Sequence, residues 1–294
     1  MTVIQELKRA HVVIVGMGLM GASLGYDLRG HCRRVTGVVR RPEAVAATED
    51  SGCVDDATLD AAAAAAMADI VVLATPVRTI LRQIAELGPL MKPGAVLLDM
   101  GSTKTEICRA MAALPAGVQP VGGHPMCGKE VAGLSAAESG LYRDCIFVLC
   151  PLPRTSPAAL ALARQLVDFI HARAMQLEPA RHDHLVAAIS HLPYLNAAAL
   201  VWHVMAMAET DPVVWDVAAS GFRDSSRVAA SDVRMLLDIL LTNRDAVLDA
   251  VDDFLGRLTE LRDVLASEDE NALQERLLSI AQARRDWERM RKTH

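Results

Sequence analysis

Between residues 11 and 177 the chain alternates short β-rich runs with helical stretches, and this alternation restricts the fold more than any other feature. The runs fall at 11–15, 35–39, 70–74, 95–99, 118–121, 146–149 and 174–177. Between them, residues 19–29, 59–68, 78–87, 105–114 and 157–171 carry apolar side chains at helical spacing. Such alternation builds βαβ units around a mainly parallel sheet. Asp60 ahead of six alanines reads as a helix N-cap followed by a strong helix former. From about residue 181 the strand signals stop. Helical periodicity then runs to the end, with breaks near 211–212 and 220–221 and one long helix expected over 232–265. At roughly 150 residues per domain, the chain fits an α/β domain over 1–178 and an all-α domain over 179–294.

Composition narrows the class. Hydrophobic residues make up 52% and charged residues 22%, which fits a packed protein and excludes a disordered one. Aromatic residues are only 3%, so Ala, Val, Leu, Ile and Met must fill the core. A net charge of −6 argues against a nucleic-acid partner. The six cysteines, at 32, 53, 108, 127, 145 and 150, form no CxxC pair. They read as reduced thiols of a cytoplasmic protein. No signal peptide is expected, because the apolar run at 11–15 leads into a glycine-rich turn. Residues 185–208 lack Asp, Glu, Lys and Arg over a length that spans a bilayer. Ser190, His191, Pro193, Asn196 and His203 interrupt them, and no cationic flank anchors them. A helix buried on all sides, within a domain or a dimer, is expected instead of a membrane contact.

The motifs with chemical content follow in order. Gly16-Met17-Gly18-Leu19-Met20-Gly21 follows a strand-like VVIV and opens a helix. That is the context of the dinucleotide fingerprint, so the first domain is expected to be of Rossmann type, with the pyrophosphate at the helix N-terminus. At the end of the second strand, an acidic residue usually holds the ribose 2′-hydroxyl. Here Val39 is followed by Arg40 and Arg41, whose planar forks suit a phosphate. NADP is therefore favoured over NAD, with a solvated basic turn as the alternative. Ser102 and Thr103 end another strand and are read as a cap of the next helix, a site residue, or both. His124, in a glycine-rich loop after a strand, has the intrinsic pKa of a general base near neutrality. A structural histidine is the competing reading.

Taken together, GMGLMG, ADIVVLATPV, DMGSTK, GGHPMCG, ISHLP and GFRDSSRVAASD resemble, in order and over nearly the whole chain, the prephenate/arogenate dehydrogenase family of tyrosine biosynthesis. The resemblance implies an oxidoreductase whose first domain binds NADP or NAD and whose helical domain builds a homodimer and closes the substrate pocket. His124 matches the family's catalytic histidine and Ser102 the serine that supports it. Arg227 matches the arginine that grips a substrate carboxylate, and His191 lies in the matching SHLP segment. Thr75 and Pro76, in the ADIVVLATPV stretch, join Gly16, Gly18, Leu19, Met20, Gly21, Arg40 and Arg41 as cofactor-binding residues. The reaction implied removes a hydride from C4 of a cyclohexadienol while CO2 leaves C1, so that aromatisation drives it.

The chain departs from the common pattern at Lys129, where many members have Thr, and at Tyr194, where many have a second histidine. It also reads Val233 in place of a Pro and Leu236 in place of a frequent Trp. Lys129 and Tyr194 are taken as substrate-binding residues. With Asp183 offered to an ammonium group and Lys129 favouring a keto acid, both prephenate and arogenate are expected as substrates, arogenate slightly ahead. A related dehydrogenase acting on a modified prephenate and a non-catalytic NADP-binding sensor are the alternatives. His182, His184 and His191 are not read as a metal site, because helical i, i+2 residues point to different faces.

Overall fold

The computed structural model describes residues 3–4, 6–129 and 131–293. Among them, eight strands form one sheet: β1 (His11–Val15), β2 (Arg34–Val38), β3 (Asp56–Thr58), β4 (Ile70–Leu73), β5 (Val96–Asp99), β6 (Gln119–Pro125), β7 (Ile146–Pro151) and β8 (Arg173–Gln176). Their spatial order is β3-β2-β1-β4-β5-β6-β7-β8. Neighbours run parallel except β6 and β7, which are antiparallel. The helices are α1 (Leu19–Leu28), α2 (Glu43–Asp50), α3 (Ala61–Met67), α4 (Val77–Leu87), α5 (Thr105–Ala112), α6 (Pro157–Phe169), α7 (Pro179–Val186), α8 (Leu192–Ala208), α9 (Ser220–Ser226), α10 (Val233–Thr242), α11 (Arg244–Ala266) and α12 (Glu270–Thr293).

The central strands are buried on both faces, and their period of two divides the core. Val12, Ile14, Ile70, Val72, Val96 and Leu98 face one cluster with α1 and α6. Val13, Val15, Val71, Leu73 and Leu97 face a second with α3, α4, α5 and α10. Asp60 caps α3 by accepting from the Ala63 N–H at 2.9 Å. The chain divides into two compact units, the first ending at Arg244 and the second beginning at Asp245. Helices α7 to α10 thus belong to the same unit as the sheet, while α11 and α12 make up the second.

Three features differ from the sequence reading. The short edge strand β3 and helix α2 carry no apolar alternation that would reveal them; all three residues of β3 are only partly buried. The single helix expected over 232–265 is two, because α10 ends at Thr242 and Asn243 leaves helical geometry. The uncharged stretch is helical but is not buried on all sides within the single chain, so burial inside one domain, the first of the two expected ways, does not occur. Of α8 only Ala197 is buried, and Trp202 is 75% exposed. Between α7 and α8, Ala187–His191 forms a π-helical turn. Pro193 has no N–H to give the Ile189 carbonyl, so the regular ladder cannot pass through this point.

One buried ion pair pins the carboxyl edge of the sheet. Lys104 and Asp99 are both fully buried, and the ammonium donates to the Asp99 carboxylate and, at 2.6 Å, to the Gly123 carbonyl. The same carboxylate accepts from the N–H groups of Gly101 (2.8 Å) and Gly123 (3.0 Å). The ends of β5 and β6 and the start of α5 are thereby joined. Lys104→Met leaves Asp99 buried without a counter-charge and should cost roughly 3–5 kcal/mol in urea unfolding. Asp99→Asn added to it should recover part of that loss, since the amide is neutral and still accepts a main-chain N–H.

Candidate active site

The glycine turn between β1 and α1 has the shape of a phosphate cradle. Gly16 adopts φ +104°, a left-handed conformation that strains any side chain. Its N–H donates to the Val38 carbonyl at 3.0 Å, and a Cβ there would lie 2.7 Å from Thr75 Cγ2. Thr75 therefore packs on the turn, its hydroxyl held by Gln83 at 2.7 Å, and Pro76 starts α4 beside it. At Gly18 a Cβ would meet nothing within 4 Å, and no side chain caps α1. Open space over uncapped N–H groups at a helix N-terminus fits a dinucleotide pyrophosphate. Arg40 and Arg41 lie exposed just past the end of β2, with Arg41 Nε 3.4 Å from Glu43.

His124 sits near the carboxyl end of β6, which runs parallel to β5, so it stands at the same edge of the sheet. Its Nδ1 lies 2.8 Å from His182 Nε2, and His182 Nδ1 lies 2.8 Å from Asp183 Oδ1. Burial opposes ionisation of Asp183, but hydrogen bonds from His182, Thr105 and Lys104 outweigh it and hold its pKa below the usual carboxylate value. The ionised carboxylate fixes the proton of His182 on Nδ1. His182 Nε2 is then the acceptor for His124 Nδ1–H, which leaves the lone pair of His124 on Nε2. Burial, with the nearby His182, Lys104 and His191, keeps the His124 imidazole well below its ordinary pKa. The result is a neutral imidazole with its basic nitrogen turned away from its protein partner, the form a general base requires.

Asp183 has a second role. It accepts from the Lys104 N–H at 2.7 Å and the Thr105 N–H at 2.8 Å, capping α5 from a different helix. Neither Ser102 nor Thr103 caps α5. The Thr103 hydroxyl instead meets that of Thr242 at 2.9 Å, and the Ser102 hydroxyl has no hydrogen-bond partner among the described residues. With its carboxylate engaged in this way, the buried Asp183 is not placed to receive a substrate ammonium, which corrects the sequence reading.

The remaining candidates are dispersed. His191 is buried, its Nδ1 3.2 Å from the Asn243 amide, which also donates to the Asp183 carbonyl at 2.8 Å. Burial pushes its imidazole down to about 4, against the attraction of Asp183. Through the shared Asn243 amide it braces α7 from within. Lys129 is exposed and paired with Glu138 at 2.7 Å. Tyr194 packs against the second core cluster, and Arg227 stands exposed on the turn Arg227–Ala230. The sequence reading missed His182, Lys104, Asp99 and Asn243. Its one visible clue was the adjacent His182-Asp183 pair just before the uncharged stretch 185–208.

A glycine cradle at the first strand and a neutral, oriented histidine at the same sheet edge define an NAD(P)-binding dehydrogenase. A model of the prephenate dehydrogenase nucleotide-binding domain matches residues 24–176, and one of the prephenate dehydrogenase dimerization domain matches residues 178–279. The prephenate dehydrogenase of Bacillus subtilis (strain 168) is 31% identical over 262 residues, covering 88% of this chain and 71% of that protein. The crystal structure of prephenate dehydrogenase from A. aeolicus in complex with hydroxyphenyl propionate and NAD+ has a TM-score of 0.88 at 30% identity, covering 94% of this chain and 97% of that one. That of Synechocystis arogenate dehydrogenase has a TM-score of 0.82 at 32% identity, covering 94% and 99%. The chain belongs to the prephenate dehydrogenase family.

The relay makes two measurable demands. A base with a depressed pKa stays neutral further into acid, so the acid limb of kcat/KM should fall below about pH 6.5. A limb at or above that value would contradict the assignment. Asp183→Asn removes the charge that selects the tautomers and should lower kcat on the order of 10²-fold, with the KM of the cofactor nearly unchanged.

Proposed function

We propose that this chain catalyses the oxidative decarboxylation of prephenate and L-arogenate, giving 4-hydroxyphenylpyruvate and L-tyrosine, with His124 as the base and NADP preferred over NAD. The carrying observation is the Asp183–His182–His124 chain, which leaves a basic Nε2 at the sheet edge that also carries the glycine cradle. Gly16, Gly18, Leu19, Met20 and Gly21 hold the pyrophosphate, Thr75 and Pro76 flank it, and Arg40 and Arg41 read the 2′-phosphate. When bound, the nicotinamide supplies the acceptor for the hydride of substrate C4. His124 Nε2 takes the proton of the 4-hydroxyl as carbonyl character develops at C4. The electron pair of the C1–carboxylate bond enters the ring as CO2 departs, and His124 returns its proton to the phenolate. Ser102 supports the hydroxyl, Arg227 holds a substrate carboxylate, and Lys129 and Tyr194 face its side-chain end.

The domains divide at 178/179 in this reading, and the exposed apolar side of α8 is covered in a homodimer. A cytoplasmic location agrees with the thiol content. It also agrees with the anchoring of the long apolar helix Pro179–Ala208, whose Asp183 is bonded into α5.

The test is an assay of nicotinamide reduction with prephenate and with arogenate, each with NADP and NAD. Turnover of neither substrate would overturn the reading. His124→Asn should lower kcat on the order of 10²–10⁴-fold while cofactor binding persists. Neutralising Arg40 and Arg41 together should raise KM for NADP and leave that for NAD nearly unchanged; equal weakening would remove them from 2′-phosphate recognition.

A further inference from the structure

Two cysteines that the reaction does not use face each other just beyond the catalytic histidine. Strands β6 and β7 pair antiparallel, with His124 opposite Val148 and Pro125 opposite Phe147. The pairing continues past the strand ends, because the Met126 N–H donates to the Ile146 carbonyl at 2.8 Å. The next opposed pair is Cys127 and Cys145. Positions in an antiparallel pair alternate between hydrogen-bonded and non-hydrogen-bonded. With 126 and 146 hydrogen-bonded, Cys127 and Cys145 take the close type, as does Pro125, which has no N–H to give. At such a site the Cα atoms stand about 4.5 Å apart, inside the roughly 4.4–6.8 Å that a disulfide spans.

We propose that Cys127 and Cys145 are a reversible thiol–disulfide pair, with Cys145 the thiol that meets the oxidant and Cys127 the one that resolves it. The register sets the two cysteines opposite each other, and the Arg173 N–H donates to the Cys145 carbonyl at 2.8 Å, which brings a cationic residue to the Cys145 side of the pair. Interaction between the two thiols, helped by the Arg173 charge, lowers the Cys145 pKa despite its partial burial, while that of Cys127 is raised. Both residues are only partly buried, so an oxidant reaches them. The other thiols are poorer candidates. Cys53, Cys108 and Cys150 are buried, and burial pushes Cys150 up to about 12 and Cys32 up to about 11.

With hydrogen peroxide as oxidant the chemistry balances. The Cys145 thiolate attacks one peroxide oxygen, the O–O bond breaks, and Cys145 becomes a sulfenic acid with release of hydroxide. The Cys127 sulfur then attacks Cys145 Sγ, forming the S–S bond and expelling a second hydroxide. The protons of the two thiols convert both hydroxides to water, so two thiols are oxidised and one peroxide is reduced. A cytosolic thiol pool reverses the bond, as expected of a regulatory disulfide. The new bond fixes the chain two residues before Lys129, at the start of the segment assigned to the substrate side chain.

The purified full-length enzyme should be treated with hydrogen peroxide, alkylated, digested without reductant and analysed by mass spectrometry. The expected product is a Cys127–Cys145 linked peptide, lost on adding dithiothreitol. Cys127→Ser should instead leave a sulfenic acid on Cys145 that dimedone traps, and Cys145→Ser should give no trapped sulfenic acid at position 127. Absence of the linked peptide, or linkage among other cysteines, would overturn the pair; trapping at Cys127 would overturn the order of roles. The oxidised enzyme should also show a KM for prephenate raised severalfold, with that for the cofactor unchanged and both restored by dithiothreitol. A disulfide that forms with unchanged kinetics would overturn its part as a switch.

Discussion

Withdrawing the Lys104 ammonium and the Asp99 carboxylate from water decides how the active edge of this sheet is assembled. Each charge is fully buried, and the partners that compensate them are main-chain groups of Gly101 and Gly123. A buried pair of this kind adds little net stability compared with apolar side chains of the same volume, but breaking it is costly. Its consequence here is geometric. Gly123 is held through both its N–H and its carbonyl, and His124 is the next residue, so the backbone that carries the base has little freedom to move. The pair acts as a clamp whose strength comes from the dielectric around it.

A second constraint acts through Asp183. One carboxylate caps the N-terminus of α5 and sets the protonation of His182. The two roles reinforce each other. The N–H groups of Lys104 and Thr105, at the positive end of the α5 dipole, keep Asp183 ionised in spite of burial. The charge so maintained propagates through His182 as a choice of tautomer on His124. The helix-to-sheet packing and the acid–base chemistry therefore rest on the same atoms. Asn243 extends the arrangement by donating to the Asp183 carbonyl while meeting His191. It is also the residue at which the helix is interrupted between α10 and α11.

What could be read in the sequence follows from the range of the forces involved. The alternating strands and helices, the Asp60 cap and the glycine turn depend on neighbours a few residues apart, and their spacing alone exposed them. The relay does not work that way. His124 and His182 are 58 positions apart, and Lys104 and Asp183 are 79 apart. Only the folded sheet brings them together. Lys104 carried no local sign that it is buried, since a lysine before a helix ordinarily reads as solvated. Asp183 was visible as a carboxylate near the site, but not as one whose acceptor positions serve the protein. The helix over 232–265 failed for a related reason, because periodicity continues through Asn243 while a tertiary hydrogen bond stops the backbone.

The exposure of α8 follows from the same reading of burial. Its residues are apolar nearly all round, yet in the single chain the first unit covers only Ala197 fully. Helices that are apolar on every side are stable only when every side is packed. Trp202, Met205 and Met207 lie open on α8, whereas Tyr194 at its start reaches the second core cluster. The first turns of this helix are thus tied to the sheet, its remainder packs on one side against α9 and the turns 212–214 and 227–230, and its other side is exposed. The N-terminal end cannot move without disturbing the π-helical turn that holds His191, and through Asn243 the carbonyl of Asp183. The start of α8 and the Asp183 carbonyl are thus joined through His191 and Asn243. For a chain with so few aromatic side chains, that continuity depends on close packing of small aliphatic residues, which transmits displacement because it leaves few voids to absorb it.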